Sequence, residues 1–321
     1  MCYNINQYLI LLLTQLNFAK KAKSERKFIK RNAYAFQVFL TLRNFLYDEH
    51  WLTKFSWGSN VKEELMKYIQ GNYIISEKMA IARNIYSFVI SCPEVAELAC
   101  PGQFVHIRAK GYTLRRPISI CGIDKTKGTL RIVFEIRGEG TEQIAGLNKG
   151  DLIDMLAPLG HGFTVYPDYK KVVLIGGGIG TPPMLPLASA YGSKAVAISG
   201  FRNASAVILQ DDFKKTGAET ILCTDDGSMG VHGFVTEPLQ ELISKEKPDA
   251  VYACGPMPML KGIAAICKEN NVFCEISLEE HMACGIGACL GCACRTKRND
   301  EEYFAHVCKD GPVFNAEEVL W

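Results

Sequence analysis

Four cysteines near the end of the chain restrict what it can fold into more than any other feature. Cys284, Cys289 and Cys292 stand at C-x4-C-x2-C spacing in the run CGIGACLGCAC, and Cys308 follows after fifteen residues in HVCKDGPVF. This is the plant-type spacing of a [2Fe–2S] cluster. Four thiolates and two bridging sulfides concentrate negative charge, which backbone N–H groups offset if the loop curls tightly; Gly285, Gly287 and Gly291 permit that curl. Zinc also takes four thiolates, usually from two C-x2-C knuckles, and this run holds one. A tail without metal is the third reading. Cys294 falls two residues past Cys292, on the opposite side of an extended chain, and reads as a non-ligand. Residues 277–321 are too few to fold around a core of their own without a staple of this kind.

Upstream the grammar changes twice. Over residues 73–168 the signals are short and β-like: SFVIS, GQFVHIRA, RPISIC and TLRIVFEI, punctuated by Gly, Pro and Asn/Asp. They predict an antiparallel barrel or sandwich. Over residues 169–276, KVVLIGGGIG is a continuous apolar strand running into a glycine turn, and AVAISGF, ETILCTDDG and AVYACGP repeat strand-then-loop. That pattern predicts a parallel α/β domain. The expected fold class is therefore β followed by α/β, with a small C-terminal metal domain over 277–321.

The first 72 residues stand apart. They hold none of the 13 prolines and two of the 28 glycines, with 11 basic residues against five acidic ones. Phe36, Phe39, Leu40, Leu42, Phe45 and Leu46 recur at near-helical spacing behind the basic stretch Lys20 to Arg31. A basic amphipathic segment could touch a membrane or a partner. The plainer reading is an N-terminal extension, or a start placed too far upstream, because the domain pattern begins only after Met66. Met66 and Met79 are the alternative starts.

Charge and cysteine usage bound the function. Thirty-six basic against 34 acidic residues leave a formal charge of +2, without the basic excess that gripping a nucleic-acid backbone requires. The best apolar run near the start, Tyr8 to Leu13, is far below the ~20 residues of a membrane span, and no secretory leader pattern opens the chain. A cytoplasmic protein with no membrane and no nucleic-acid partner is expected. In that reducing compartment Cys92, Cys100, Cys121, Cys223, Cys267 and Cys274 read as small buried apolar residues.

Three further motifs carry candidate chemistry. GGGIGTPP, from Gly176 through Gly177, Gly178, Gly180 and Thr181, follows a strand and precedes an expected helix whose first turn holds the prolines. Such a junction offers free N–H groups to a pyrophosphate, or is simply a tight connection. CGPMPML, opening on Cys254 and Gly255, ends another strand, so the two loops would face one pocket at the carboxyl edge of the sheet. Cys254 is either a buried thiol or part of a nicotinamide site. In LRRPISI, Arg116 and Ser119 suit a flavin nucleotide, the guanidinium forking onto a phosphate and the hydroxyl meeting the ring edge; a surface ion pair is the alternative for Arg116. The run Glu139 to Thr141 would open a helix with a hydroxyl and amides toward a second phosphate.

Taken together, RPIS, GEGT, GGGIGTPP, CGPMPML, the E-E-x-M-x-CGIGAC-x-x-C block and VC-x-DGPVF resemble the electron-transfer subunits of type B dihydroorotate dehydrogenases, within the ferredoxin reductase superfamily. The resemblance runs from about Tyr73 to Leu320. It implies FAD between a flavin-binding barrel and the α/β domain, NAD at the latter, and a [2Fe–2S] cluster in the tail. It places flavin contacts on Arg116, Pro117, Ile118, Ser119, Val133, Phe134, Glu135, Gly140 and Thr141, and cluster ligands on Cys284, Cys289, Cys292 and Cys308. NAD contacts would fall on Gly176, Gly177, Gly178, Gly180, Thr181, Cys254 and Gly255. Glu135 would contribute its backbone, since a carboxylate beside FAD phosphates is unfavourable. Arg202 could accept a 2′-phosphate, and the preference for NAD over NADP rests on the resemblance alone.

The resemblance further implies a partner, the FMN-containing catalytic subunit, as two copies of each chain. Electrons would pass from its FMN through the cluster and FAD to NAD+ in pyrimidine biosynthesis, with no acid–base catalytic residue in this chain. The nearest alternative is a reductase subunit of another flavin and iron–sulfur enzyme, of the sulfide dehydrogenase or ferredoxin-NADP reductase type; such relatives often carry aspartate where Cys284 stands. A zinc-stabilised binding module is the alternative of a different class.

Overall fold

Period-two alternation of apolar residues builds the first half of the molecule. The strands β1 (Ile69–Ala82), β2 (Ile85–Ser91), β3 (Phe104–Arg108), β4 (Arg115–Asp124), β5 (Thr129–Glu135) and β6 (Leu152–Leu159) close into an antiparallel barrel in the order β1-β2-β5-β4-β3-β6. Inward residues such as Ile75, Phe88, Ile90, Val105, Ile107, Ile120 and Ile132 are fully buried and form one core. The computed structural model describes residues 68–298 and 301–321. The expectations for residues 1–67 lie outside the described residues. β1 opens at Ile69, ahead of Tyr73, and pairs Ile69 with Ala157 of β6.

The second half is a seven-stranded sheet in the order β10-β9-β8-β7-β11-β12-β15, formed by β7 (Val172–Gly177), β8 (Ala195–Phe201), β9 (Glu219–Thr224), β10 (Val231–His232), β11 (Ala250–Cys254), β12 (Phe273–Ser277) and β15 (Val313–Asn315). The pairs from β10 to β12 are parallel, and every residue of β7 and of β11 is buried, as strands covered on both faces require. Three α-helices of the connections are Leu185–Tyr191, Thr236–Lys245 and Met257–Glu269. The prolines after the glycine turn do not start the first of these. They form a separate 3₁₀ turn, Pro182–Met184, because each lacks an N–H and the chain is still tightening out of the turn.

The C-terminal domain packs onto the sheet. A hairpin, β13 (Ala293–Arg298) with β14 (Glu301–His306), projects from it, but β15 joins the main sheet antiparallel to β12. Cys292, Val307, Cys308 and Val319 pack into the same core as Val251, Ile263 and Ile276. Among the free cysteines expected to be buried, Cys100 is the exception: it is exposed in the turn where its N–H is accepted by Gln103.

Polar ties join barrel and sheet. Buried Glu275 of β12 accepts the N–H and hydroxyl of Thr164 at 2.9 and 2.7 Å, and the Tyr252 hydroxyl donates to the Thr164 carbonyl at 2.8 Å. Arg131 of β5 pairs with Asp212 at 2.7 Å. Among the described residues no helix is long and apolar enough to cross a membrane.

Candidate functional site

Between barrel and sheet lies a cavity of about 430 Å³. One wall is the barrel: Pro117, Ile118 and Ser119 from β4, Val133, Phe134 and Glu135 from β5, and Thr141. Arg116 lines an adjoining cavity of about 440 Å³, and Gly140 packs directly on its guanidinium. The expected flavin residues are thus brought to one place. The strand alternation sends Ile118 inward to the barrel core and Ser119 outward.

Three of these residues behave in ways the motif alone does not specify. Glu135 is held by Arg137, whose Nε donates to its carboxylate at 3.0 Å, so its charge is compensated at the cavity edge. The Thr141 hydroxyl caps the helix Glu139–Ala145, accepting the N–H groups of Arg137 and Gly138 at 2.9 and 3.2 Å. Arg116 stacks over Tyr112 at 5.4 Å and donates to the Leu114 carbonyl at 2.6 Å; among the described residues no carboxylate pairs with it.

The opposite wall was not anticipated from sequence. Ser277, Leu278, Glu279, Glu280, His281 and Met282 line the cavity as β12 runs out toward the cysteines. They sit just past the carboxyl end of a parallel strand, where α/β sheets gather ligands, and that position was the available signal.

The glycine turn and the CGP loop meet backbone to backbone. Cys254 pairs in register with Gly176, and a Cβ on Gly180 would lie 2.5 Å from the Cys254 carbonyl oxygen and 2.7 Å from the Gly255 Cα. Gly178 and Gly255 have φ of +54 and +158°, Gly177 packs on Met259, and Thr181 is fully buried with its hydroxyl unpartnered. Cys254 is buried, which pushes its thiol up to about 12. Gly180→Ala is expected to destabilise the chain by roughly 1–3 kcal/mol, because backbone rather than a flexible side chain must yield. At about 2–4 °C per kcal/mol the melting point should fall by several degrees. Calorimetry that finds wild-type melting would mean that the loops do not touch. At the next strand end, the Asp225 and Asp226 N–H groups donate to the Phe201 and Arg202 carbonyls at 3.0 and 3.3 Å, which sets two acidic residues beside Arg202.

The cysteine loop curls as its glycines allow. Gly285 and Gly287 have φ of +74 and +78°. Three backbone N–H groups, of Ile286, Ala288 and Cys289, point at the Cys284 sulfur at 3.4, 3.2 and 3.4 Å; Gly287 donates to Cys308 Sγ at 3.0 Å and Cys308 N–H to Cys292 Sγ at 3.4 Å. Burial alone would raise the Cys284 thiol, but these donors outweigh it and hold it down to about 7. The Cys284 thiol feels Cys289, and the Cys308 thiol feels both Cys292 and Cys284, so the four side chains are neighbours. Among the described residues no three His, Cys, Asp or Glu side chains converge on one ion. Four neighbouring cysteines, three of whose sulfurs accept backbone N–H groups, fit a two-iron cluster, which needs four cysteine ligands and neutralisation of its sulfurs. Cys294, partly buried on β13, has its thiol raised to about 11 by burial.

Comparison with known proteins agrees with this geometry. Residues 279–320 match the iron–sulfur cluster binding domain of dihydroorotate dehydrogenase B. The dihydroorotate dehydrogenase B (NAD(+)) electron transfer subunit of Fusobacterium nucleatum is 42% identical over 255 residues, 76% of this chain and 96% of that protein. The subunit of the same description from Bacillus mycoides is 40% identical over 258 residues, 78% of this chain and 98% of that one. Among solved structures, the NADH-dependent reduced ferredoxin-NADP oxidoreductase of flavin-based electron bifurcation is 32% identical, with a TM-score of 0.70 over 78% of this chain and 90% of that one. The FAD/NAD binding domain of Vibrio cholerae nitric oxide dioxygenase, 22% identical with a TM-score of 0.53 over 64% of this chain and 95% of that one, shares the fold. A four-cysteine loop opening off a cavity between a six-stranded barrel and a parallel sheet, with relatives aligned over nearly their whole length, makes this chain a member of the family of dihydroorotate dehydrogenase B electron transfer subunits.

Proposed function

We propose that the chain carries electrons from an FMN-containing, dihydroorotate-oxidising partner to NAD+, through a [2Fe–2S] cluster and FAD that it holds itself. One observation carries this reading: the segment Ser277–Met282 that walls the cavity leads within two residues to Cys284, so the flavin site and the cluster loop share a wall. FAD exchanges electron pairs with a nicotinamide and single electrons with an iron–sulfur centre, and so converts between the two.

The residues divide the work. Arg116 forks onto a flavin phosphate, with Gly140 leaving room for its guanidinium, while Ser119 faces the isoalloxazine edge. Pro117, Ile118, Val133, Phe134 and Glu135 shape the wall with side chain and backbone, and Thr141 fixes the helix start beside it. Cys284, Cys289, Cys292 and Cys308 ligate the cluster. Gly176, Gly177, Gly178, Gly180, Thr181, Cys254 and Gly255 let a dinucleotide approach the sheet edge. The working divisions are residues 73–168, 169–276 and 277–321, with the first boundary drawn back to Ile69, where β1 begins to pair.

The partner is the catalytic subunit, two copies of each chain assembling together. The test is to co-express the two, record the visible spectrum and assay NAD+ reduction with dihydroorotate as the sole donor. Flavin and iron–sulfur absorption with dihydroorotate-dependent NADH formation is expected. The 32% identity to a ferredoxin-NADP oxidoreductase favours a second reading, a reductase subunit serving another donor. That reading predicts the same spectrum without dependence on dihydroorotate.

A further inference from the structure

The space between the walls does not end at the flavin cavity. The second cavity, of about 440 Å³, shares Pro117, Glu280, His281 and Met282 with the first. Its barrel side is built by Tyr112, Thr113 and Leu114, which lead into β4, and by the two arginines that open the strand. Its volume lies within the roughly 300–1,000 Å³ of small-molecule sites.

The order of groups along β4 says what continues into this space. Ser119, facing the isoalloxazine edge, and Arg116, forking onto a phosphate, are three residues apart, about 10 Å at ~3.3 Å per residue. A ribityl chain and its phosphate ester cover that reach, so FMN would end at the guanidinium. FAD continues with a second phosphate and an adenosine, and past Arg116 the wall continues with Leu114, Thr113 and Tyr112. Arg116 stands at the junction over the Tyr112 ring, and the Tyr112 hydroxyl is fixed in turn by donating to the Glu139 carboxylate at 2.9 Å. The chemistry beyond the junction suits a nucleoside. Leu114, 48% exposed, and half-buried Met282 offer apolar surface to a purine, and the Glu280 carboxylate is an acceptor for the adenine amino group or the ribose hydroxyls.

We propose that the second cavity takes the adenosine half of FAD and thereby makes the chain select FAD over FMN. The proposal rests on the reading of the first cavity as the flavin site. Selection matters in the assembly proposed above, because the partner carries FMN and two flavins differing by an adenylate must each reach their own subunit.

The experiment removes flavin from the purified full chain and titrates the apoprotein with FAD and with FMN by calorimetry. The wild type is expected to bind FAD about tenfold more tightly than FMN, or better, which corresponds to about 1.4 kcal/mol from the adenosine half. Thr113→Trp, filling the second cavity from an exposed position, is expected to abolish that preference by weakening FAD while FMN binds as before. Glu280→Gln, on the opposite wall, is expected to reduce it through FAD alone, and carries the comparison if the tryptophan variant does not fold. Equal affinity of the wild type for the two flavins overturns the proposal. So does a preference that survives in the variant, including one in which both flavins weaken alike. A wild-type chain that binds neither flavin overturns the reading of the flavin cavity itself, so the two failures are distinct.

Discussion

Replacing Cys308 with serine is expected to empty the chain of iron and acid-labile sulfide while FAD stays bound. Cys308 is 2% exposed, its sulfur accepts the Gly287 N–H, and its side chain pairs with that of Cys292. Burial, reinforced by Cys292, pushes its thiol up to about 12, so it becomes a thiolate only as metal displaces the proton. A serine hydroxyl is a harder donor and far less acidic, and it would leave the cluster one thiolate short. The flavin cavity does not include Cys308 in its lining. Iron and sulfide analysis beside flavin content reads both halves of the claim. Reduction of an artificial dye by NADH should persist, while dihydroorotate-dependent NAD+ reduction in the assembled complex should fall to background. A serine variant that retains both irons would remove Cys308 from the ligand set.

The parts of the site legible in the sequence are those whose chemistry is local. Three of the four cysteines lie within nine residues, and their glycines announce the loop before any fold is known. The barrel and the sheet were legible for a similar reason, since alternation and continuous apolar runs are properties of single strands. What escaped depends on distant segments meeting. Ser277–Met282 looks like a linker until β12 is seen to deliver it to the cavity. The C-terminal domain is legible from its cysteines, but its attachment is not: β15 pairs with β12 and Cys308 packs against the sheet, because so short a segment buries its apolar residues more effectively in a neighbour's core. That the Thr141 hydroxyl also accepts the Arg137 and Gly138 N–H groups at the helix start is likewise visible only in the local geometry.

Arg116→Leu is expected to purify with little or no FAD while keeping its iron. The guanidinium has two backbone contacts, to the Leu114 carbonyl at 2.6 Å and the Arg115 carbonyl at 3.4 Å, both from Nη1. Its Nη2 and Nε face Gly140, where a Cβ would come within 2.5 Å of Nη2. These donors are therefore held open by the absence of a side chain, and a phosphate can take them as a fork. Leucine preserves apolar contact with Tyr112 but removes the charge and every donor. Charge-assisted hydrogen bonds of this kind contribute about 1.5–3 kcal/mol, which corresponds to roughly a tenfold to 150-fold weaker FAD affinity. Arg116→Lys should recover part of the loss, since an ammonium keeps the charge without the planar fork. Gly140→Ala should weaken FAD from the other side by displacing the guanidinium. Flavin released on gel filtration and fluorescence titration of the apoprotein measure all three. If the leucine variant retained stoichiometric FAD, the phosphate anchor would have to be sought elsewhere on the cavity wall.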